Sequence, residues 1–221
     1  MASSGNMIKT AKKRAYDSSS RKEAARGTHQ TILGAARSVF LEKGYAAATM
    51  PAIAQAAGVA LDTVYATVGR KPALFRQLIE MAISGTDSVV PAEEREYVQA
   101  IRAETEAAGK LRIYAAALRS IQQRLGPLFR VLQGAVPLDP ELAALWKNIS
   151  ERRAKNMRLF AADLAATGRL RPHLSVTKVA DIIWSMNAPE FYLLLVEERG
   201  WSAREFEDFL ADAWMRLLLE P

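Results

Sequence analysis

The segment from Thr49 to Lys71 carries side chains that are well suited to bind an anion. Lys71 precedes Pro72, which fits the first turn of a helix because a missing N–H costs little there. An ammonium group beside the free backbone N–H groups of a helix start makes a good phosphate clamp. Thr49 precedes another predicted helix, and its hydroxyl can accept a hydrogen bond from an unpaired N–H of that helix. The segment therefore predicts phosphate binding.

Two short helices joined by a tight turn are predicted to position these groups. The first helix has one apolar face and ends at Gly58, because glycine adopts a left-handed backbone without steric cost. The second helix has apolar residues at i, i+3, i+4 and i+7, namely Leu61, Val64, Tyr65 and Val68. Two such helices form a helix-turn-helix, whose second helix enters the major groove of DNA.

This segment resembles the DNA-binding domain of the TetR (tetracycline-repressor-like) transcriptional regulators. The residues that carry the resemblance are Thr49, Ile53, Ala54, Ala57, Gly58, Val59, Thr63, Val64, Tyr65, Gly69, Lys71, Leu74 and Phe75. Ala60 and Val68 depart from the pattern, since a capping serine and an aromatic residue are common at those positions. The resemblance implies an all-α protein with a three-helix DNA-binding head and a larger helical domain for regulation and dimerisation.

The resemblance also implies which residues contact DNA. We expect phosphate contacts from Thr49, Thr63, Tyr65 and Lys71. We expect Leu61, Asp62, Ala66 and Thr67 to face base edges or their margin. No Arg or Lys lies between Leu61 and Val68, so the paired arginine–guanine contact is not available there. Two alternatives stay open, because Tyr65 could be a core aromatic and Leu61 could cap the core of the head.

Charge is distributed unevenly along the chain of 221 residues. Residues 1–71 contain 11 Lys or Arg and 4 Asp or Glu, whereas the remainder contains 19 and 20, within a net charge of +6. The positive excess therefore lies entirely at the N-terminal end. A basic head on a near-neutral body is typical of a protein that binds nucleic acid. A basic solubilising tail would have the same composition.

Composition divides the chain into three parts. Residues 1–21 are polar and basic, and we expect a flexible arm that contacts DNA or is a passive tail. Residues 22–85 form the head, including a fourth helix that in the family links the head to the body. Residues 86–221 form the body, which is the expected ligand-binding and dimerisation domain.

The body is predicted to be helical throughout. Apolar periodicity with Gly and Pro punctuation predicts head helices near 22–43 and 72–84. It predicts body helices near 92–108, 110–124, 127–135, 140–167, 175–198 and 202–219. Pro189 falls inside one of these segments, so we expect a kink or break there.

Scattered aromatic, methionine and polar side chains in the body suggest a pocket for a small, largely apolar effector. The apolar candidates for ligand contact are Tyr114, Phe129, Trp146, Met157, Phe160 and Trp184. Asn187 is the preferred polar candidate, with Arg130 and His173 as further ones. Most of these residues would otherwise be ordinary core. The resemblance implies that the effector shifts the body, moves the fourth helix and changes the spacing of the two recognition helices.

The last predicted helix has an apolar face that is wide for a surface helix. We expect Phe206, Leu210, Trp214 and Leu217 to be divided between the core and a dimer contact. One short recognition helix contacts few base pairs, so useful specificity requires a homodimer on a roughly palindromic operator.

The sequence contains no set of residues that indicates a catalytic site. The twelve glycines form no phosphate-binding loop and no nucleophile elbow, and the chain has no cysteine. We expect no enzyme activity, no cofactor, no metal and no membrane partner, and a cytoplasmic location by default. The sequence therefore predicts a ligand-responsive regulator, most simply a repressor. The alternative is an activator or an effector-independent DNA-binding protein of the same fold.

Overall fold

The computed structural model is all-α, as predicted, and describes residues 5–86, 90–137 and 139–221, with side chains from Arg21 onward. An isolated antiparallel bridge joins Leu170 to Leu219 near the end of the chain. In the described part of the chain, no single helix is long and apolar enough to cross a membrane. The segments Val176–Met186 and Pro189–Glu198, which are bent relative to each other, would together be long and apolar enough, judged by length and composition only.

Four helices form the head. They are α1 (Gly5–Ala47), α2 (Met50–Ala57), α3 (Leu61–Val68) and α4 (Lys71–Ser84). Gly44 interrupts α1 with φ 72°, at the position where the sequence predicts the end of the first helix. Beyond it, Tyr45 packs into an aromatic cluster with Phe40 and Phe75, with ring centroids 4.9–5.7 Å apart. This cluster holds the ends of α1 and α4 together.

The predicted N-terminal arm is only partly described. Helix α1 starts at Gly5, within the segment for which the sequence predicts an irregular arm. Residues 1–4 and the side chains before Arg21 lie outside the description, so contact between the arm and DNA stays a prediction. Residues 87–89, which follow the predicted boundary between residues 85 and 86, are not described.

The body contains six further helices among the described residues. A short 3-10 turn, Ala92–Glu94, leads into α5 (Glu96–Ala103). The others are α6 (Ala107–Ala135), α7 (Pro140–Ala166), α8 (Val176–Met186), α9 (Pro189–Tyr192) with a π-helical extension over Leu193–Glu198, and α10 (Ala203–Leu218). Helix α6 packs against α1, α4, α5 and α10 and is the central element of the body.

Two predicted helix boundaries in the body are wrong. The segments 110–124 and 127–135 form the single helix α6, with Pro127 inside it. Proline inside a helix costs about 3 kcal/mol. Burial of large side chains on both sides of Pro127, including Leu111 and Leu132, outweighs that cost. Conversely, the predicted 92–108 helix is divided between the 3-10 turn and α5, with a break after Ala103.

The predicted break at Pro189 is confirmed. Helix α8 ends at Met186, and Asn187 adopts a non-helical backbone with φ −87° and ψ 3°. Helix α9 then starts at Pro189, whose ring suits a first turn. The break leaves Asn187 almost fully buried at 1% exposure.

Polar contacts join the head to the body at two places, the C-terminal end of α4 and the C-terminal end of α1. The Arg124 side chain of α6 donates from Nε to the carbonyl oxygen of Ala82, 3.0 Å away. On the other side, the Tyr45 hydroxyl donates to Asp139 Oδ2 at 3.0 Å, and Asp139 is the N-cap of α7. The head is therefore tied to α6 and α7 by side chains as well as by the chain itself.

Candidate DNA-binding face and ligand cavity

The predicted helix-turn-helix is present and capped as its sequence requires. The Thr49 hydroxyl accepts a hydrogen bond from Ala52 N at 3.2 Å and fixes the start of α2. Gly58 ends α2 in the left-handed conformation, with φ 65°. Val59 N then donates to Ala54 O at 3.1 Å, which closes the turn. The exposed Thr49 hydroxyl keeps its own proton free to donate to a phosphate oxygen.

Helix α3 presents one face to the core and the opposite face to solvent. Val64 and Val68 are buried, and they dock the helix on the head. Leu61 and Tyr65 are 36% and 45% exposed. The remaining predicted contact residues of α3 are either exposed, as Asp62 and Ala66 are, or half-buried, as Thr63 and Thr67 are. The outer face therefore combines apolar, hydroxyl and carboxylate groups.

Ala60 leaves the start of α3 without a side-chain cap. Its backbone is extended, with φ −65° and ψ 147°, as an N-cap residue requires, but it makes no side-chain hydrogen bond. The departure from the family pattern noted in the sequence thus removes one hydrogen bond. The other end of α3 is supported by Gln77, whose Nε2 donates to Val68 O at 3.3 Å.

Lys71 is less free than the sequence suggests. Its Nζ lies 4.3 Å from the centroid of the Tyr45 ring and donates to Ala46 O at 3.4 Å. Burial lowers the pKa of the Lys71 ammonium, and the charge of Asp139 partly opposes that shift. The ammonium is half-buried and has three N–H groups, so it can hold the backbone and still donate to a phosphate.

Tyr45 connects the phosphate-binding candidate to the body. Burial raises the pKa of the Tyr45 phenol, and the hydrogen bond to Asp139 and the charge of that carboxylate raise it further. The ring lies beneath Lys71 while the hydroxyl reaches α7. The sequence around Tyr45 does not predict this link, because an aromatic residue just after a helix end is most simply part of the core.

A cavity of about 680 Å³ lies in the body between α4, α5, α6, α7 and the break before α9. Glu80 and Ile83 of α4 form part of its wall, so the helix that carries the head also lines the cavity. Such a volume suits a drug-sized molecule.

Four of the nine predicted ligand residues line this cavity, namely Tyr114, Met157, Phe160 and Asn187. The five other candidates, Phe129, Arg130, Trp146, His173 and Trp184, are not part of its wall. Phe129 packs on Trp146 with ring centroids 4.6 Å apart, and Arg130 forms an ion pair with Glu197. His173 is exposed, whereas Trp184 packs against Arg153.

A buried polar network forms one wall of the cavity. Asn187 Nδ2 donates to the Tyr114 hydroxyl at 2.8 Å and lies 3.0 Å from Met157 Sδ. Gln122 Nε2 donates to the main-chain carbonyl oxygen of Asn187 at 2.9 Å. Burial raises the pKa of Tyr114, which therefore stays a neutral phenol. The network fixes the break between α8 and α9 to the centre of α6.

Several lining residues were not identified from the sequence, above all Gln122, Arg152 and Arg153. Gln122 had a signal, because it follows Tyr114 and Leu118 at helical spacing on an otherwise apolar face. The two arginines had none, since charged residues on a long helix are usually solvated.

The residues predicted for the dimer contact occupy two environments. Phe206, Leu210 and Trp214 have no exposed surface in the single chain, and Trp214 stacks on Tyr114. Leu217 is 49% exposed, and Phe209 on the same helix is 38% exposed. The three buried residues therefore belong to the chain's own core, and only Leu217 of the four leaves a large surface for a partner.

Comparison with known proteins agrees with this architecture. The model for "Bacterial regulatory proteins, tetR family" matches residues 32–78, which extend from the core of α1 into α4. The uncharacterized HTH-type transcriptional regulator YdeS of Bacillus subtilis (strain 168) is 30% identical over 172 residues. The match covers 77% of this chain and 79% of YdeS.

Two solved structures share the fold at lower identity. NalD, the secondary repressor of the MexAB-OprM multidrug efflux pump in Pseudomonas aeruginosa, superposes with a TM-score of 0.69 at 20% identity, over 88% of this chain and 98% of NalD. The SmeT–triclosan complex gives a TM-score of 0.62 at 17% identity, over 88% and 92% of the two chains. The chain therefore belongs to the tetR family of bacterial regulatory proteins, which are DNA-binding transcriptional regulators and not enzymes.

Proposed function

We propose that this regulator is a repressor that binds a palindromic operator as a homodimer and leaves it when a small molecule enters the body. The observation that carries the proposal is the position of α4. This helix starts at Lys71, beside the DNA-binding face, and its Glu80 and Ile83 line the cavity. One rigid element thus touches both candidate sites.

The outer face of α3 supports the DNA-binding half of the proposal. Thr49, Thr63, Tyr65 and Lys71 are proposed to bind phosphates. Leu61, Asp62, Ala66 and Thr67 are proposed to face the bases. Specificity would come from apolar contact with thymine methyl groups, from hydroxyl hydrogen bonds and from Asp62 accepting from cytosine, because no Arg or Lys lies within α3.

The cavity supports the effector half of the proposal. SmeT, a structural neighbour, is described in complex with triclosan, so a protein of this fold can hold a small molecule. A ligand changes DNA affinity only if it binds one of the two states of the protein more tightly. A wall shared with α4 gives it a means to do so, because movement of α4 changes both the cavity and the head.

The exposed apolar residues of α10 support the homodimer. Leu217 and Phe209 are large, exposed and on one helix, and Leu194 of the π-helical segment is 50% exposed. Pairing of two copies would cover this surface and repeat the recognition helix. We propose the cytoplasm as the place where the dimer meets DNA. An activator, or a DNA-binding protein without an effector, would share the same head. The response of DNA affinity to ligand separates the protein without an effector from the other two, and the effect on transcription separates an activator from a repressor.

Selection of duplexes from random DNA by the full chain tests the proposal. The recovered sequences should contain two inverted half-sites whose centres are about one helical turn or a multiple apart. A single asymmetric site would contradict the homodimer. Recovery of no enriched sequence would contradict regulation through sequence-specific DNA binding.

A further inference from the structure

We propose that the cavity binds an amphiphilic anion, which has an apolar hydrocarbon part and one carboxylate or similar group. We further propose that this anionic group competes with Glu80 for Arg152. Ligand binding would then separate α4 from α7. The inference rests on the proposed function, because it names the chemistry of the effector and the contact through which the effector acts.

The deep wall of the cavity favours a ligand with an apolar hydrocarbon part. Leu118, Ile121, Ile149, Met157 and Phe160 line it from α6 and α7, and each is buried. When a hydrocarbon part of the ligand packs against these side chains, binding gains about 25 cal/mol of free energy for each Å² of apolar surface removed from water. A fully polar ligand would forgo that gain.

The charged residues of the wall select an anion. Five cationic side chains line the cavity, Arg95, Arg102, Arg152, Arg153 and Lys155, against three carboxylates, Glu80, Glu93 and Asp163. Two of the carboxylates are already neutralised, because Asp163 pairs with Lys110 at 2.8 Å and Glu80 pairs with Arg152. The remaining wall has a clear positive excess, which attracts negative charge.

Arg153 is a largely buried cation of this wall whose Nε makes no hydrogen bond with any residue that the structure describes. Its guanidinium lies 4.8 Å from the centroid of the Trp184 ring, and its buried Nε has no hydrogen-bond partner among the described residues. Burial lowers the pKa of Arg153, and the charge of Glu190, whose buried Oε2 also has no hydrogen-bond partner among the described residues, partly opposes that shift. A ligand carboxylate beside Arg153 would supply the hydrogen-bond acceptor that its Nε lacks within the described chain.

Arg152 couples this charge to the DNA-binding head. It is the neighbour of Arg153 on α7, and its ion pair crosses to Glu80 on α4. The Glu80 side chain is only 12% exposed, whereas that of Arg152 is 49% exposed and can turn toward an entering anion. A ligand carboxylate beside Arg152 would share its positive charge with Glu80 and would repel that carboxylate, so the ligand favours the form in which α4 is released from α7.

Three probes with the same ten-carbon chain isolate the effect of charge. Decanoate, decan-1-ol and decyltrimethylammonium are titrated into the full protein by calorimetry, below their micelle concentrations. Decanoate should bind at least about tenfold more tightly than either other probe, since it gains a charge-assisted hydrogen bond. Equal or weaker binding of decanoate, or no binding by any of the three, would overturn the anionic assignment.

Charge-neutralising variants test the contact. Arg152→Gln should weaken decanoate, whereas Arg158→Gln, an exposed arginine of α7 outside the cavity, should not. Glu80→Gln removes the competitor, so decanoate should bind about two- to fivefold more tightly. The same variant should lose most of the effect of decanoate on DNA affinity. If Glu80→Gln altered neither quantity, the competition between ligand and Glu80 would be wrong.

DNA affinity for a duplex recovered by selection separates failure of this inference from failure of the proposed function. If decan-1-ol or the ammonium probe releases that duplex and decanoate does not, the anionic effector is wrong while a ligand-responsive regulator stands. If no duplex is enriched by the protein, the proposed function fails whatever the three probes do. Release by decanoate alone, with the variant pattern above, is the result that we expect.

Discussion

The Lys71 ammonium lies over the Tyr45 ring and also donates to Ala46 O, so it holds the end of α1 against the start of α4. A cation on an aromatic face is worth about 0.5–1 kcal/mol at an exposed site and more when desolvated. The same group is proposed to bind phosphate. Its place in the fold fixes it at the edge of the DNA-binding face, which limits the entropy lost when DNA binds.

Lys71→Ala should weaken binding to all DNA sequences alike and lower the slope of log K against log salt by about 1. Fluorescence anisotropy with a labelled duplex over a range of salt concentrations measures both quantities. Lys147→Ala, which removes an exposed lysine of the body, is the control and should leave the slope unchanged. An unaltered slope for Lys71→Ala would mean that its ammonium does not contact phosphate.

At the scale of the element, α3 is a short helix with an extended but uncapped start. Its eight residues are too few to be stable alone, so Val64 and Val68 dock it on the head while Gln77 supports its last turn. The backbone of Ala60 already has the geometry of an N-cap residue. Only the side-chain acceptor is missing.

Ala60→Ser should therefore stabilise the protein, by about 1 kcal/mol if the new hydroxyl accepts from the first turn of α3. Urea unfolding monitored by circular dichroism gives the free energy of unfolding. Thr49→Ala is the matched comparison, because it removes the existing cap of α2 and should destabilise by about 0.5–2 kcal/mol. No gain of stability in Ala60→Ser would mean that the new hydroxyl does not cap α3, and no loss in Thr49→Ala would mean that the existing cap does not stabilise α2.

The contact between α1 and α7 depends on the Tyr45 hydroxyl and Asp139. Tyr45→Phe keeps the ring beneath Lys71 but removes the hydrogen bond to a charged acceptor. It should lower the free energy of unfolding by about 1.5–3 kcal/mol. Tyr65→Phe is the control, since its exposed hydroxyl makes no hydrogen bond within the described residues. Equal unfolding curves for wild type and Tyr45→Phe would show that this bond does not join head to body.

Sequence periodicity predicted most elements correctly because their signals are local. The turn at Gly58, the end of the first helix at Gly44 and the break at Pro189 all follow from backbone preferences of single residues. Helix α6 was divided in the prediction because Gly126 and Pro127 are local helix breakers, whereas its continuity comes from tertiary packing along its whole length. Local signals cannot report that packing.

In the whole molecule, the residues that line the cavity could not be predicted from residue types alone. Aromatic side chains in the body were equal candidates by sequence, yet Phe129 and Trp146 pair with each other while Tyr114 and Phe160 reach the cavity. Which aromatic side chain meets a ligand depends on the crossing of helices that are distant in sequence. The cationic wall has the same origin, since Arg152 meets Glu80 only in the folded chain.

The proposed homodimer makes a prediction about Leu217. Leu217→Glu places a charge on the exposed face of α10 and should produce monomers at micromolar concentration, whereas the wild type should sediment as a dimer. Because Leu217 is half exposed in the single chain, the variant should still fold, which its circular dichroism spectrum would show. A wild-type protein that sediments as a stable monomer would contradict the proposed interface.

The exposed face of α3 is proposed to recognise a specific DNA sequence. The most direct measurement is the ratio of two dissociation constants at one salt concentration, one for a duplex selected by the protein and one for a shuffled duplex of equal length and composition. Sequence-specific recognition predicts that the selected duplex binds about a thousandfold more tightly or better. Equal dissociation constants would mean that the protein contacts only the phosphate backbone, and would contradict sequence-specific recognition by α3.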